Sequence, residues 1–113
     1  SAHIEFKKSV INAGDGDTIL TLKDLTPVRL IKNEFYQKVE AAQNSGASKE
    51  ELSQLLGRGR AKRGMFEGDL IEGELEIGQV SGIIHEILPA SNIIENIISE
   101  FNQANSELTH IRL

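Results

Sequence analysis

Apolar residues along the first dozen positions, Ile4, Phe6, Val10 and Ile11, lie mostly at helical spacing. A first helix is therefore expected over Ala2 to Ala13, with Gly14 as its stop. Asp15-Gly16-Asp17 carries turn chemistry, and Thr18 to Lys23 combines β-branched residues with partial alternation, which reads as a strand. After the connection Asp24 to Pro27, Val28-Arg29-Leu30-Ile31 reads as a second short strand that pairs with the first as a hairpin. Asn33 can cap a helix through Phe35, Tyr36, Val39 and Ala42, which Asn44-Ser45-Gly46 breaks. Ser48 and Glu51 form a capping-box pattern ahead of Leu52, Leu55 and Leu56.

Between Gly57 and Gly73, glycines at 57, 59, 64, 68 and 73 interrupt every period, so a long structured loop with a single turn around Met65 is expected. Long irregular loops in small domains usually serve a site or are disordered, which makes this loop the place to look for function. Beyond it, Leu75, Ile77, Val80, Ile83, Ile84 and Ile87 lie near one face of a helix that ends before Pro89. Ser91 can cap a final helix carrying Ile93, Ile94, Ile97, Ile98 and Phe101, and Leu108 to Leu113 alternates weakly, as a short strand or a tail. The fold class expected is α+β and mainly helical: one small helical domain over residues 1–113 with one short β-hairpin.

Composition narrows this picture. A chain of 113 residues is the usual size of one domain and can bury a core without staples. The absence of cysteine excludes disulfides, thiolate zinc sites and thiol nucleophiles, and suits a reducing cytoplasm. No apolar run approaches the roughly 20 residues of a membrane span, so no membrane partner is expected. Twelve basic against seventeen acidic residues give a net charge of -5, which argues against nucleic acid as a partner. The charges fall in blocks, Arg58, Arg60, Lys62 and Arg63 being followed by Glu67, Asp69, Glu72, Glu74 and Glu76.

The run Gly57-Arg58-Gly59-Arg60-Ala61-Lys62-Arg63-Gly64 has two readings. Freed backbone amides and the guanidinium forks of Arg58, Arg60 and Arg63 suit an anion. A solvated loop neutralised by the neighbouring carboxylates fits the same residues. The run lacks the GxxxxGK[ST] pattern of a P-loop. Asp15-Gly16-Asp17 has no closing glutamate at calcium-loop spacing, which leaves a turn. His3, His85 and His110 have no second ligand at metal spacing and read as surface or satisfied histidines. No nucleophile elbow or Ser-His-Asp pattern is present, so no catalytic residue is assigned. Gly78 and Gln79 fall inside the helix expected after Gly73. A glycine there costs about 1 kcal/mol relative to alanine, which close packing or a ligand would explain.

The stretch from Leu55-Leu56-Gly57-Arg58 through Gly64-Met65-Phe66-Glu67-Gly68-Asp69-Leu70 to Glu72-Gly73-Glu74-Leu75-Glu76-Ile77-Gly78-Gln79 resembles the C-terminal part of nitronate monooxygenases. These were formerly called 2-nitropropane dioxygenases, and their family includes the FMN-dependent enoyl-acyl-carrier-protein reductases. Ala2-His3, Phe6-Lys7, Asp17 to Thr21, Pro27-Val28-Arg29 and Asn33 are similar to the segment beyond the last barrel strand in that family. The resemblance runs from about residue 2 to about residue 104. It implies a parent enzyme built on an FMN-binding (β/α)8 barrel, of which this chain is the C-terminal cap with the barrel itself upstream. It also implies that Gly78 and Gln79 match the family's Gly-Gln pair near the flavin. Ile77 stands where many members carry alanine.

On that reading FMN belongs to the parent protein and none is expected on the isolated chain, which is expected to be inactive alone. The expected partner is the upstream barrel or, in its absence, further copies of the chain as a homo-oligomer. A protein-interaction module without enzymatic activity is the rival reading.

Overall fold

The structure, a computed structural model, describes residues Ser1–Ile111. Its body is built around an antiparallel hairpin of β1 (Thr18–Thr21) and β2 (Val28–Ile31), paired Thr18 to Ile31 and Thr21 to Val28. α1 (Ile4–Asn12) precedes the hairpin, and α2 (Glu34–Asn44) and α3 (Lys49–Leu56) follow it. The sequence signals at the helix starts are realised as hydrogen bonds. Asn33 Oδ1 accepts from the Tyr36 amide at 3.0 Å. Ser48 and Glu51 close the reciprocal capping box, the Ser48 amide donating to Glu51 Oε2 at 2.7 Å and the Glu51 amide to Ser48 Oγ at 3.2 Å. His3 caps α1, its Nδ1 accepting from the Glu5 amide at 3.2 Å.

Two clusters form the core, one on each side of the hairpin. Phe6, Val10, Ala13, Ile31 and Leu75 make the first, and Leu22, Phe35, Val39 and Leu52 the second. Leu22 enters the second cluster from a left-handed backbone conformation (φ 52°), and it is only 1% exposed. That conformation strains a branched side chain, so the aliphatic burial outweighs it.

Three expectations require correction. The helix expected from Leu75 to Ile87 does not form. Leu75 to Ile77 instead lies extended against β2, where the Ile31 amide donates to the Leu75 carbonyl at 3.0 Å and the Ile77 amide to the Arg29 carbonyl at 3.1 Å. A short 3-10 turn follows at Gln79–Ile83, and residues 84–89 form an extended strap. The open edge of β2 offers backbone partners that an isolated helix cannot, and Gly78 and Gly82 weaken the helical alternative. The final helix, α5 (Ala90–Thr109), begins one residue ahead of the expected Ser91 cap. The Pro89 carbonyl already accepts from the Ile93 amide at 3.2 Å, and Ser91 Oγ faces Asn92 instead. Leu108 and Thr109 belong to α5 rather than to a strand, and the rest of that expected strand or tail reaches residues 112–113, outside the described residues.

α5 runs for 20 residues and buries none of them. The chain's radius of gyration is 18.2 Å, with extents of 57 × 35 × 19 Å. A compact chain of this length would have a radius near 13 Å, so α5 and the strap project from the body.

Candidate functional site

The charged glycine-rich segment is held by its own chain. Within it, Arg60–Met65 forms a short helix, α4, in place of the single turn expected. Arg60 Nε donates to the Leu56 carbonyl at 3.0 Å and Nη2 to the Leu55 carbonyl at 3.2 Å. Its Nη1 reaches both the Glu72 carbonyl at 2.8 Å and Glu72 Oε2 at 3.0 Å. The same guanidinium lies over the Phe35 ring, 4.5 Å from its centre. Arg63 Nε pairs with Asp69 Oδ2 at 2.7 Å, and Lys62 with Glu67 at 3.3 Å. Of the three anion-binding candidates, Arg60 and Arg63 are thus spent on internal carboxylates and carbonyls. Arg58 is exposed and has no carboxylate partner among the described residues. The structure does not gather the three into one clamp.

The carboxylates of this segment respond to their partners in opposite ways. Lys38 and then Arg60 hold the Glu72 carboxyl below the ordinary value of 4.5, and the Glu72 amide, the Ile71 amide and Arg63 hold Asp69 below 3.8. Burial, with Glu76 adding to it, pushes the Glu74 carboxyl above 4.5 despite Arg60. Glu74 therefore binds its proton more tightly in the folded chain than in the unfolded one. The stability it contributes is complete below pH 4.5 and is lost as pH rises through the raised value. The Glu72 and Asp69 contributions run the other way, present above their ordinary values and lost as pH falls. Glu74→Gln is accordingly expected to be more stable than the parent chain at pH 7, with the difference shrinking toward pH 4. Urea denaturation at intervals from pH 4 to pH 8 measures it, and two parallel stability curves would refute the assignment.

The sequence alone casts the glycines as room for a ligand, yet two of them make room for the chain's own neighbouring segments. A Cβ on Gly64 would lie 2.7 Å from the Glu74 carbonyl oxygen, and one on Gly73 would lie 2.5 Å from the Gly64 amide nitrogen. Asn33 is marked by sequence only as a cap. Its Nδ2 also donates to the Leu70 and Gly73 carbonyls, both at 2.8 Å, stitching the start of α2 to the end of the charged segment. No local pattern announces a bond that spans 40 residues.

Gly78 and Gln79 lie elsewhere, on the exposed entrance to the 3-10 turn. Gly78 is not inside a helix. Its backbone is extended (φ -71°, ψ 160°), and the nearest atom to a built Cβ, a Val80 methyl, is 3.8 Å away. The helix-interior cost of that glycine therefore does not arise, and nothing in this chain requires glycine there. The Gln79 carboxamide has no hydrogen-bond partner among the described residues, and Val80 and Ile83 beside it are 55% and 75% exposed. Behind them Ser81 is fully buried with a hydroxyl that has no partner among the described residues. Bare backbone and a free carboxamide fit the edge of a flat heteroaromatic ring.

His3 packs against Gly68 as a helix cap, whereas His85 and His110 are exposed. No group of metal-ligating side chains occurs among the described residues, and none of their helices is long and apolar enough to cross a membrane.

The comparisons match this mainly helical chain, with its one hairpin and projecting terminal helix, to part of a longer protein. The chain is similar to FabK from Thermotoga maritima, with 30% identity and a TM-score of 0.85 over 96% of this chain and 34% of that one. A methionine-to-alanine mutant of the same protein matches with 28% identity and a TM-score of 0.76, over 96% of this chain and 32% of that one. The chain thus spans about a third of the length of the structures it matches. No protein-family model matches it, and no curated protein does so.

Proposed function

We propose that this chain is the C-terminal segment of an FMN-dependent oxidoreductase of the family that unites nitronate monooxygenases and FMN-dependent enoyl-acyl-carrier-protein reductases. In that role it supplies a lid and one wall of the substrate site rather than the reacting groups. The observation that carries the reading is the likeness to FabK over 96% of the chain, beside the family-like stretch that runs from Leu55 to Gln79. Gly78 supports it independently, because a glycine that its own chain leaves open is accounted for by something outside the chain that approaches the backbone closely.

Bound FMN supplies two-electron redox chemistry. Gly78 would leave room for the flavin, Gln79 would offer it a hydrogen bond, and Val80 and Ile83 would help to exclude water there. The barrel and its phosphate-binding loops are assigned to the upstream part of the parent.

The test is a graft of Ser1–Leu113 in place of the corresponding third of Thermotoga maritima FabK. The purified graft is expected to be yellow, with flavin absorbance between about 350 and 500 nm retained through gel filtration at micromolar protein. Gly78→Val is expected to lower flavin retention by about tenfold or more, and to leave the melting temperature of the isolated 113-residue chain unchanged. The isolated chain is expected to retain no added FMN. A folded but colourless graft would overturn the reading.

A further inference from the structure

A cavity of about 270 Å³ opens between the hairpin and α2, and it shares no residue with the Gly78-Gln79 turn or with the charged glycine-rich segment. Ile19, Leu20 and, just beyond β1, Lys23 line it from the hairpin, and Tyr36, Glu40 and Gln43 line it from α2. Spacings of four and three put those α2 residues on one helical face.

The polar groups of the cavity are set by partners inside the chain. Thr21 and Tyr36 are only 6% and 8% exposed. Tyr36 Oη donates to Glu40 Oε1, and Thr21 Oγ1 donates to Gln43 Oε1 at 2.8 Å. With its hydrogen committed to Glu40, the Tyr36 hydroxyl has only lone pairs left to offer, as has the carboxylate itself. Gln43, its oxygen occupied by Thr21, is left with the hydrogens of its Nε2. The charges repeat this division. Lys38 closes on Glu72 and Arg63 on Asp69. Lys23 and Glu40, although they line one cavity, form no ion pair with each other or with any other described residue. The cavity thus holds an acceptor pair, Glu40 with Tyr36, and a donor pair, Lys23 with Gln43.

An anion alone would satisfy Lys23 and meet the charge of Glu40, and a cation alone would satisfy Glu40 and meet that of Lys23. A ligand that carries both charges satisfies all four groups through charge-assisted hydrogen bonds. We propose that this cavity binds a small zwitterion with a primary ammonium and a carboxylate, the class of the free α-amino acids. The ammonium takes Glu40 and Tyr36, the carboxylate takes Lys23 and Gln43, and Ile19 and Leu20 receive an aliphatic side chain. At the roughly 30 Å³ that one water occupies in the liquid, the space holds on the order of nine non-hydrogen atoms. That is smaller than a drug-sized site of about 300–1,000 Å³. Because Glu40 and Gln43 are already oriented by Tyr36 and Thr21, little ordering remains to oppose binding. The site uses no residue of the flavin assignment and stands or falls apart from it.

The test is a titration of the isotope-labelled 113-residue chain with L-leucine to about 20 mM, followed through the amide resonances. Saturable shifts are expected at residues 19–23 and 36–44, with half-saturation at about 1 mM or below. Isocaproate, which lacks the ammonium, and isoamylamine, which lacks the carboxylate, are each expected to bind at least about tenfold more weakly. Glu40→Gln keeps an acceptor for Tyr36 and is expected to weaken leucine about tenfold without weakening isocaproate. Lys23→Met is expected to weaken leucine as much without weakening isoamylamine. The absence of saturable shifts with leucine, shifts confined to other residues, or equal binding of leucine and either analogue overturns the proposal. So does half-saturation by glucose at the same concentration, which would give the cavity to neutral polyols. The analogues are compared on the unaltered chain, so that comparison decides the matter even where a variant fails to fold.

Discussion

Gly73→Ala is expected to cost the fold about 3 kcal/mol or more, the upper range for forcing a methyl group into a closed space. The added carbon would press on the Asp69 carbonyl oxygen and on the Gly64 backbone, with the Gly64 nitrogen 2.5 Å away. Every one of these atoms belongs to the main chain, so no side chain can swing aside. Relief would require the Asp69–Gly73 turn to move, and that turn is tied down by the Gly73 amide bond to the Asp69 carbonyl at 3.0 Å and by Asn33 Nδ2 on the Gly73 carbonyl at 2.8 Å. A small domain has a net stability of only about 5–15 kcal/mol, so a loss of this size is a large share of the whole. Chemical denaturation of the parent chain and the variant decides it, and a loss below about 1 kcal/mol would show that the two glycine backbones separate easily.

Arg60→Met is expected to be nearly as damaging, at about 3 kcal/mol, because it leaves three carbonyls without their side-chain donor and takes one of two cations from the Glu72 carboxylate. The long apolar stem of methionine preserves packing on Phe35, so the loss reports on the hydrogen bonds. Arg60→Lys is expected to recover little. An ammonium can stay near Glu72, but it lacks the rigid fork that reaches Leu55, Leu56 and Glu72 together. Urea midpoints for the two variants provide the measurement. If lysine restored full stability, charge alone would matter at this position and the geometric account would fail.

Much of the body is legible where local chemistry decides the outcome. Ser48 with Glu51, Asn33 before Phe35, and the β-branched run at Thr18 each name their element within four residues of sequence. The error over Leu75 to Ile87 has a different origin. Its apolar spacing is compatible with a helix, but the open edge of β2 captures Leu75 to Ile77 as a third extended segment, and tertiary pairing overrides periodicity. The charged run shows the same limit at the level of a site. Sequence displays Arg58, Arg60 and Arg63 side by side, and only the fold reveals that Glu72 and Asp69 arrive to occupy two of them. The Gly78-Gln79 pair stands out in the sequence against a helix that does not form, and nothing within this chain constrains either residue.

The bond from Asn33 to Gly73 also sets an order of events during synthesis. The start of α2 and the outer edge of β2 emerge from the ribosome with their backbone partners not yet made. Those partners are the carbonyls of Leu70, Ile71 and Gly73 and the extended Leu75 to Ile77. At about 5–20 residues per second, translation takes roughly 2–8 s to cover the intervening 40 or so positions. Throughout that interval an unpaired strand edge stands open to water or to whatever chaperone waits there.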